Sequence, residues 1–284
     1  MYLLLAVFCS TSIMLIFKIL PRFKVSSLPV ILANYVAAII LGIIHISASA
    51  EPISTAKLLN MLPAYVGGVF FVLVFLLFSE SARTIGIAIT SVSSKMSIII
   101  PVLAGILFWN EPLSWNKSIG VLFAMTSFGL ILYKPQTEIK KSLKALFFPL
   151  LLLLGNGTND IIMKIAQSFY CNNTIDYFGY LLMVFMVALI VGSFLILFVP
   201  QRKELLNSST WLWGFLIGTL NWYSTYFFML GLKTFDISVF IPIFNVGIVS
   251  FGALFGFLIF KEPFYKINLI GYLFALLAIT LISL

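Results

Sequence analysis

Long apolar runs alternate with short polar connections along the whole chain. A helix crossing about 30 Å of hydrocarbon needs about 20 mostly apolar residues. Ten runs meet that requirement: 2–20, 28–46, 61–79, 86–108, 117–134, 145–166, 175–198, 211–230, 237–260 and 266–284. The breaks between them carry charge or turn signals, among them PRFKVSSLP, SASAEPISTAK, KPQTEIKKSLK, SFYCNNTID and PQRKELLNSST. Most connections are short, so consecutive helices are expected to pack antiparallel, with no soluble domain between them. The predicted fold class is an all-α, polytopic membrane protein.

The most charged connection, Lys134 to Lys144, divides the chain into a first five-helix repeat (1–134), a linker (135–144) and a second repeat (145–284). Shifted by 151 residues, GILFWNEPLSWNKSIGVLFA (105–124) falls on GFLIFKEPFYKINLIGYLFA (256–275). Gly105 then meets Gly256, Glu111-Pro112 meets Glu262-Pro263, Gly120 meets Gly271, and Gly67 meets Gly218. Near the starts of the halves, a shift of 146 pairs Lys18 with Lys164. Apolar segments share Leu and Phe by chance, but not Gly and Glu-Pro in register. An odd number of helices per half makes the second half enter the membrane in the opposite sense. The expected arrangement is therefore an inverted repeat around a central cavity, an architecture of secondary transporters with the substrate site near mid-membrane.

Composition narrows the class. The chain is 62% hydrophobic and 9% charged, with mean hydropathy +1.14, against roughly 25% charged in a soluble domain. Cys9 and Cys171 form neither a disulfide framework nor a zinc site. The net charge of +8 sits in short loops rather than on a basic stripe, so no nucleic-acid partner is expected. The N-terminal MYLLLAVFCSTSIMLIF lacks a basic n-region and a clear cleavage site, and reads as a retained first helix. With ten spans, Lys57, Lys117 and Lys233 lie on the side of the termini, whereas Arg22, Lys24, Arg83, Lys134, Lys140, Lys141, Lys144, Arg202, Lys203, Lys261 and Lys266 lie opposite. The positive-inside rule would then place both termini outside.

Chemistry-bearing residues are few. Lys95, in SSKMSIIIP, stands near the middle of the fourth span. An ammonium there costs at least about 2.5 kcal/mol and must face a bundle interior or a cavity. Ser91 and Ser94 give it a partly polar neighbourhood. Two readings stand: Lys95 meets an anionic part of a substrate or titrates in coupling, or it pairs with an internal carboxylate that holds the bundle. In the sixth span Asn156, Asp160 and Lys164 share one helix face, and Asp160 to Lys164 is a favourable ion-pair spacing. In the functional reading Asp160 exchanges partners between Lys164 and Lys95, or binds the coupling proton, with Lys164 and its mirror Lys18 as coupling or gating candidates; the alternative is a self-neutralised pair with Lys164 snorkelling to the interface. Lys18 mirrors Lys164, with snorkelling the favoured reading. In the eighth span Asn221 and Thr225 share a face, with Trp222 and Tyr226 beside them; such groups suit an organic substrate with a polar head, or simply fill the bundle. Asn34, Tyr35 and Asn245 are further mid-span candidates. Glu80 and Arg83, at i,i+3, suit a gate or a structural pair.

Glu111 and Glu262 are read as architecture, capping backbone N–H groups. Pro101 and Pro242 interrupt the hydrogen-bond ladder and suggest kinks or hinges, and Gly252 and Gly256 suit tight helix packing. No phosphate loop, metal-ligand spacing or catalytic cluster is visible, and His45 stands alone. No cofactor, metal or enzyme activity is expected, and energy would come from an ion gradient or the substrate's own gradient.

The stretches WNEPLSWNKSIG and FKEPFYKINLIG, the opening CSTSIMLIFK and the segment SVSSKMSIIIPVLAGILF resemble the drug/metabolite transporter superfamily, EamA type, over nearly the whole chain. The chain departs from that pattern at Asn110 and Lys261, where Gly is usual, and lacks the common Trp-Gly of the first helix. The resemblance implies ten helices around a central cavity, alternating access, small organic substrates and cytoplasmic termini, the last opposite to the Lys/Arg distribution. The expectation is a multi-pass protein of the bacterial inner membrane, monomer or homodimer. It would carry a small-molecule substrate, anionic if Lys95 binds it, with proton coupling or exchange. A passive facilitator or channel, a membrane-embedded enzyme and a non-transporting subunit are the alternatives.

Overall fold

The computed structural model describes residues 1–49, 53–85, 87–133, 143–261 and 265–283, without the side chains of 79, 82–85, 87–89, 143–146 and 149. The expected linker up to residue 142, Glu262, and the side chains of Arg83 and Lys144 therefore lie outside the description. Among the described residues the chain is helical and contains no strand.

The helices are α1 (Tyr2–Ile19), α2 (Ser27–Ala48), α3 (Thr55–Leu59), α4 (Leu62–Ile85), α5 (Ile87–Lys95), α6 (Ile99–Trp109), α7 (Trp115–Ile131), α8 (Leu143–Phe169), α9 (Thr174–Ile196), α10 (Ser208–Thr234), α11 (Ile237–Phe260) and α12 (Lys266–Ser283). Among the described residues, six stretches are long and apolar enough to cross a membrane: Tyr2–Phe23, Ser27–Ala48, Thr90–Trp109, Thr174–Ile196, Ile237–Phe260 and Lys266–Ser283. The other four expected spans coincide with α4, α7, α8 and α10. Of these, α4 is apolar over Leu62–Phe78 and α7 has 17 residues, while α8 and α10 carry amides or charges along their length.

The chain forms two compact units, each drawing on both halves of the sequence. Unit 1 comprises Met1–Val72 and Ile162–Lys233, and unit 2 comprises Leu73–Ile161 and Thr234–Leu284. Helices from the first half thus pack on their counterparts from the second.

In unit 1, α2 and α9 run antiparallel. A Cβ at Gly42 would lie 3.1 Å from Leu182, and one at Gly192 would lie 2.7 Å from Leu32. These two contacts exchange under a 150-residue shift, and Tyr35 and Phe185, counterparts under the same shift, meet with ring centroids 6.1 Å apart. Gly218 of α10 repeats the device: a Cβ there would fall 2.5 Å from the Asn34 carbonyl oxygen. Between apolar helices in lipid, such close backbone approach supplies the dispersion contact that a hydrophobic driving force cannot.

Two connections of unit 1 are latched to helix N-termini. Glu204, in the 3₁₀ turn Pro200–Leu206, accepts from Ser26 N (2.8 Å) and Ser26 Oγ (2.7 Å) at the start of α2. At the start of α9, Asn173 and Asp176 form a capping box, and the fully buried Asp176 carboxylate also pairs with Lys57 of α3. The acidic group suits the positive end of the helix dipole.

Unit 2 contains the antiparallel pair α7 and α12. A Cβ at Gly120 would lie 2.6 Å from Ile282, and one at Gly271 would lie 2.6 Å from the Ile131 nitrogen. These contacts exchange under the 151-residue shift, and Phe123 faces its counterpart Phe274 at 5.1 Å. Asn110 and Lys261 end α6 and α11 in the left-handed conformation, each at φ 52°. The two departures from the Gly pattern therefore stand where a helix cap favours glycine. Glu111 then caps α11: its carboxylate accepts from Ile237 N (2.8 Å) and Ser238 N (3.0 Å). Gly105 leaves room for this, because a Cβ there would meet the Glu111 carboxylate at 2.5 Å.

Candidate functional site

The sequence predicts one continuous helix over 86–108. The described part of it is one helical span, Thr90–Trp109, in which a 3₁₀ stretch at Met96–Ile98 joins α5 to α6 with right-handed helical dihedrals at Lys95, Ile98 and Ile99. The cause of the tightening lies in the sequence. Pro101 has no N–H to give the Ser97 carbonyl four residues back, so the ladder tightens just ahead of it. Ser97 turns its hydroxyl onto the Ser94 carbonyl at 2.7 Å, within the tightened stretch. Pro242 lies inside α11, whose helix runs on without a break.

Lys95 is the last residue of α5 before the 3₁₀ stretch. Its Nζ donates to Asn245 Oδ1 at 2.8 Å. Asn245 is buried in α11, three residues beyond Pro242. Asp160 of α8 is the charged group that acts on Lys95 through space. Both Lys95 and Asp160 are only half-buried, and so is Ser91 one turn before Lys95. One position before Asp160, Asn159 Oδ1 is buried with no hydrogen-bond donor among the described residues. Asn156 gives its amide to the Leu152 carbonyl of its own helix (2.9 Å). Unit 2 thus joins α5 to α11 through the Lys95–Asn245 hydrogen bond, with Asp160 of α8 within electrostatic reach of Lys95.

The candidates in unit 1 form a different group. Asn221 Nδ2 donates to Asn34 Oδ1 at 3.2 Å, and Thr225 Oγ1 donates to the Asn221 carbonyl at 2.8 Å. Trp222 is fully buried against Gly42, and its Nε1 has no acceptor among the described residues. Tyr35 is buried against Phe185 and Gly192. Sequence reasoning passed over two neighbours. Ser224 shares a hydrogen bond with Ser10 at 2.6 Å. His45 Nδ1 is 2.8 Å from the Leu41 carbonyl, which only accepts, so Nδ1 carries the proton and Nε2 faces Tyr223 OH at 3.4 Å. His45 also stacks on Trp222, with centroids 5.7 Å apart. The signal for this group was the polar run Asn221–Thr225, in which consecutive residues point to different neighbours around α10.

The proposed coupling and gating residues separate. Lys164 does not snorkel: it is buried, and its Nζ donates to the Leu232 carbonyl at 2.7 Å, in the last turn of α10. A cation there is favoured by the helix dipole. Lys18 is exposed at the end of α1, and Glu80 is half-buried in α4. The Glu80–Arg83 pairing lies outside the described residues because the Arg83 side chain does.

Outside the spans, the Cys171 thiol is buried before α9. Burial, with a smaller contribution from the Asp176 carboxylate, pushes it up to about 12.

The model of the EamA-like transporter family matches residues 143–284. An uncharacterised protein of Haemophilus influenzae is 26% identical over 285 residues, covering 98% of this chain and 95% of its own length. A solved crystal structure shares the fold at TM-score 0.81 and 13% identity, covering 99% of this chain and 94% of its own. Together with the apolar helices, the family match makes this an integral, multi-pass membrane protein. The family-model match extends over the complete second half of the sequence, and the chain belongs to the EamA-like transporter family.

Proposed function

We propose that this chain is a secondary transporter of a small organic molecule bearing an anionic group. It works by alternating access between inverted five-helix repeats, 1–134 and 145–284, in a bacterial inner membrane. The observation that carries this reading is the Lys95 ammonium, which donates to Asn245 at 2.8 Å beside a 3₁₀ stretch among apolar helices. A charge this expensive to place in hydrocarbon is kept for a task, and its incomplete burial leaves it reachable. The repeat reading is supported by contacts that exchange under the 150- and 151-residue shifts in both units. The bacterial relative supports the location.

Lys95 is assigned to the anionic group of the substrate, with Ser91, Asn156 and Asn245 as polar neighbours. Asp160 holds Lys95 when the substrate is away. Energy comes from a proton gradient or from exchange. A thermal-shift screen of the purified protein against a metabolite library tests this. A stabilising acid whose effect disappears in Lys95→Ala supports it. Unchanged stabilisation in that variant contradicts it.

A further inference from the structure

In unit 1, the end where α1 and α9 finish and α2 and α10 begin carries two 3₁₀ turns, Leu20–Phe23 and Pro200–Leu206. Glu204 ties the second turn to Ser26, three residues beyond the first, and the Phe23 ring packs on Trp213 of α10 with centroids 5.0 Å apart. Four exposed cations ride on this joint, Arg22 and Lys24 on one strand of it, Arg202 and Lys203 on the other. Lys24 lies two residues from Ser26, and Lys203 adjoins Glu204, so the latch brings the two basic pairs side by side. Glu204 is the one acidic residue in 1–49 and 177–233, and both of its carboxylate oxygens accept from Ser26. The joint therefore presents a surplus of positive charge.

Lys24 holds its charge here against a backbone cost. It ends its turn in the left-handed conformation, at φ 54°, where glycine is the unstrained residue. Next to the cations stand aromatic groups: Phe23 is exposed, and Trp211 is oriented by its Nε1, which donates to the Leu205 carbonyl at 2.8 Å. Trp211 also lines an open hollow with Ser208, Ser209, Leu212 and Phe215. Tryptophans and cations together at the ends of apolar helices mark the headgroup level of a bilayer. We propose that this joint binds the headgroup of an anionic phospholipid, the two basic pairs closing on its phosphate and the hollow beside Trp211 taking an acyl chain. An acidic soluble protein would meet the same charges, but the exposed rings beside them favour lipid. The proposal does not rest on the transport reading.

The test reconstitutes the full chain in nanodiscs of phosphatidylcholine and phosphatidylglycerol in equal parts and counts the lipids that stay bound by native mass spectrometry. Wild-type protein should retain phosphatidylglycerol in preference. Lys24→Gly and Lys203→Ala should each weaken that preference about fivefold, the worth of one cation at an anionic surface. Lys24→Gly should also melt no lower than wild type, because glycine suits the left-handed position. Lys233→Ala, exposed at the opposite end of α10, should change nothing. Glu204→Ala separates a built site from a diffuse field. It raises the net positive charge, yet by releasing the latch it should weaken the preference. A wild type without preference, tighter retention in Glu204→Ala, or a loss in Lys233→Ala equal to that in Lys24→Gly would overturn the proposal. If Glu204→Ala does not fold, the three lysine variants decide alone.

Discussion

In unit 1 the hydrogen bonds at the helix centres join amides, hydroxyls and an imidazole, whereas in unit 2 one joins an amide to an ammonium. Asn34 with Asn221, Ser10 with Ser224, and His45 with Tyr223 tie α1, α2 and α10 together. In unit 2 the Lys95 ammonium donates to one amide oxygen, with the Asp160 carboxylate within electrostatic reach. Both units rest on the same small-residue packing, and in both that packing repeats between halves. What separates them is polar content that does not repeat. The symmetric positions hold the helices, and the proposed site lies at asymmetric ones.

The sharpest break of this contrast is to remove one charge. Asp160→Ala leaves the ammonium of unit 2 uncompensated and should destabilise by about 3–5 kcal/mol, while Lys95→Met with Asp160→Leu should recover most of the loss. Denaturant unfolding in detergent reads both. The matching double change in unit 1, Asn34→Val with Asn221→Leu, removes both hydrogen-bond partners together and should cost far less.

The shared scaffold breaks next. Gly218→Leu drives a side chain into the Asn34 carbonyl and should cost about 1–3 kcal/mol or more. Gly129 of α7 has open space where its Cβ would be, so Gly129→Ala should instead stabilise by about 0.5–1 kcal/mol. Glu111→Ala strips two N–H groups at the start of α11 of their acceptor and should cost about 1–2 kcal/mol, visible as a lower melting temperature.

The smallest effect concerns Cys171. Its folded thiol holds its proton more tightly than the usual value of 9.0 allows, so its contribution to stability is complete below pH 9 and is lost as pH rises toward about 12. At pH 7.5 it should resist a thiol-directed maleimide in folded protein and react at once after unfolding.

Much of this contrast was legible in the sequence. Apolar run lengths located the helices, and the cost of an ammonium in hydrocarbon singled out Lys95. Glu111 was read as a cap, and the two departures from the Gly pattern, Asn110 and Lys261, mark left-handed helix ends. The pairing of helices was not legible. A helix pattern gives a face but not the partner on it, and here partners lie about 150 residues apart. The Leu32/Leu182 and Gly42/Gly192 correspondences under a 150-residue shift were present in the sequence, hidden by the one-residue difference from the shift in the Glu-Pro region. Lys164 looked like an ion-pair or snorkelling residue because spacing along α8 shows only neighbours on that helix; its acceptor, the Leu232 carbonyl, belongs to another. The 3₁₀ stretch after Lys95 was half visible, since Pro101 announced a disturbed ladder without saying whether the helix would tighten or kink.

The most direct measurement is uptake into proteoliposomes of an acid found by the binding screen, comparing wild type with Lys95→Ala reconstituted in equal amounts. The account predicts that uptake in the variant falls by about 100-fold or more, the loss of roughly 2.7 kcal/mol of interaction. Unchanged uptake by a folded Lys95→Ala protein would contradict it.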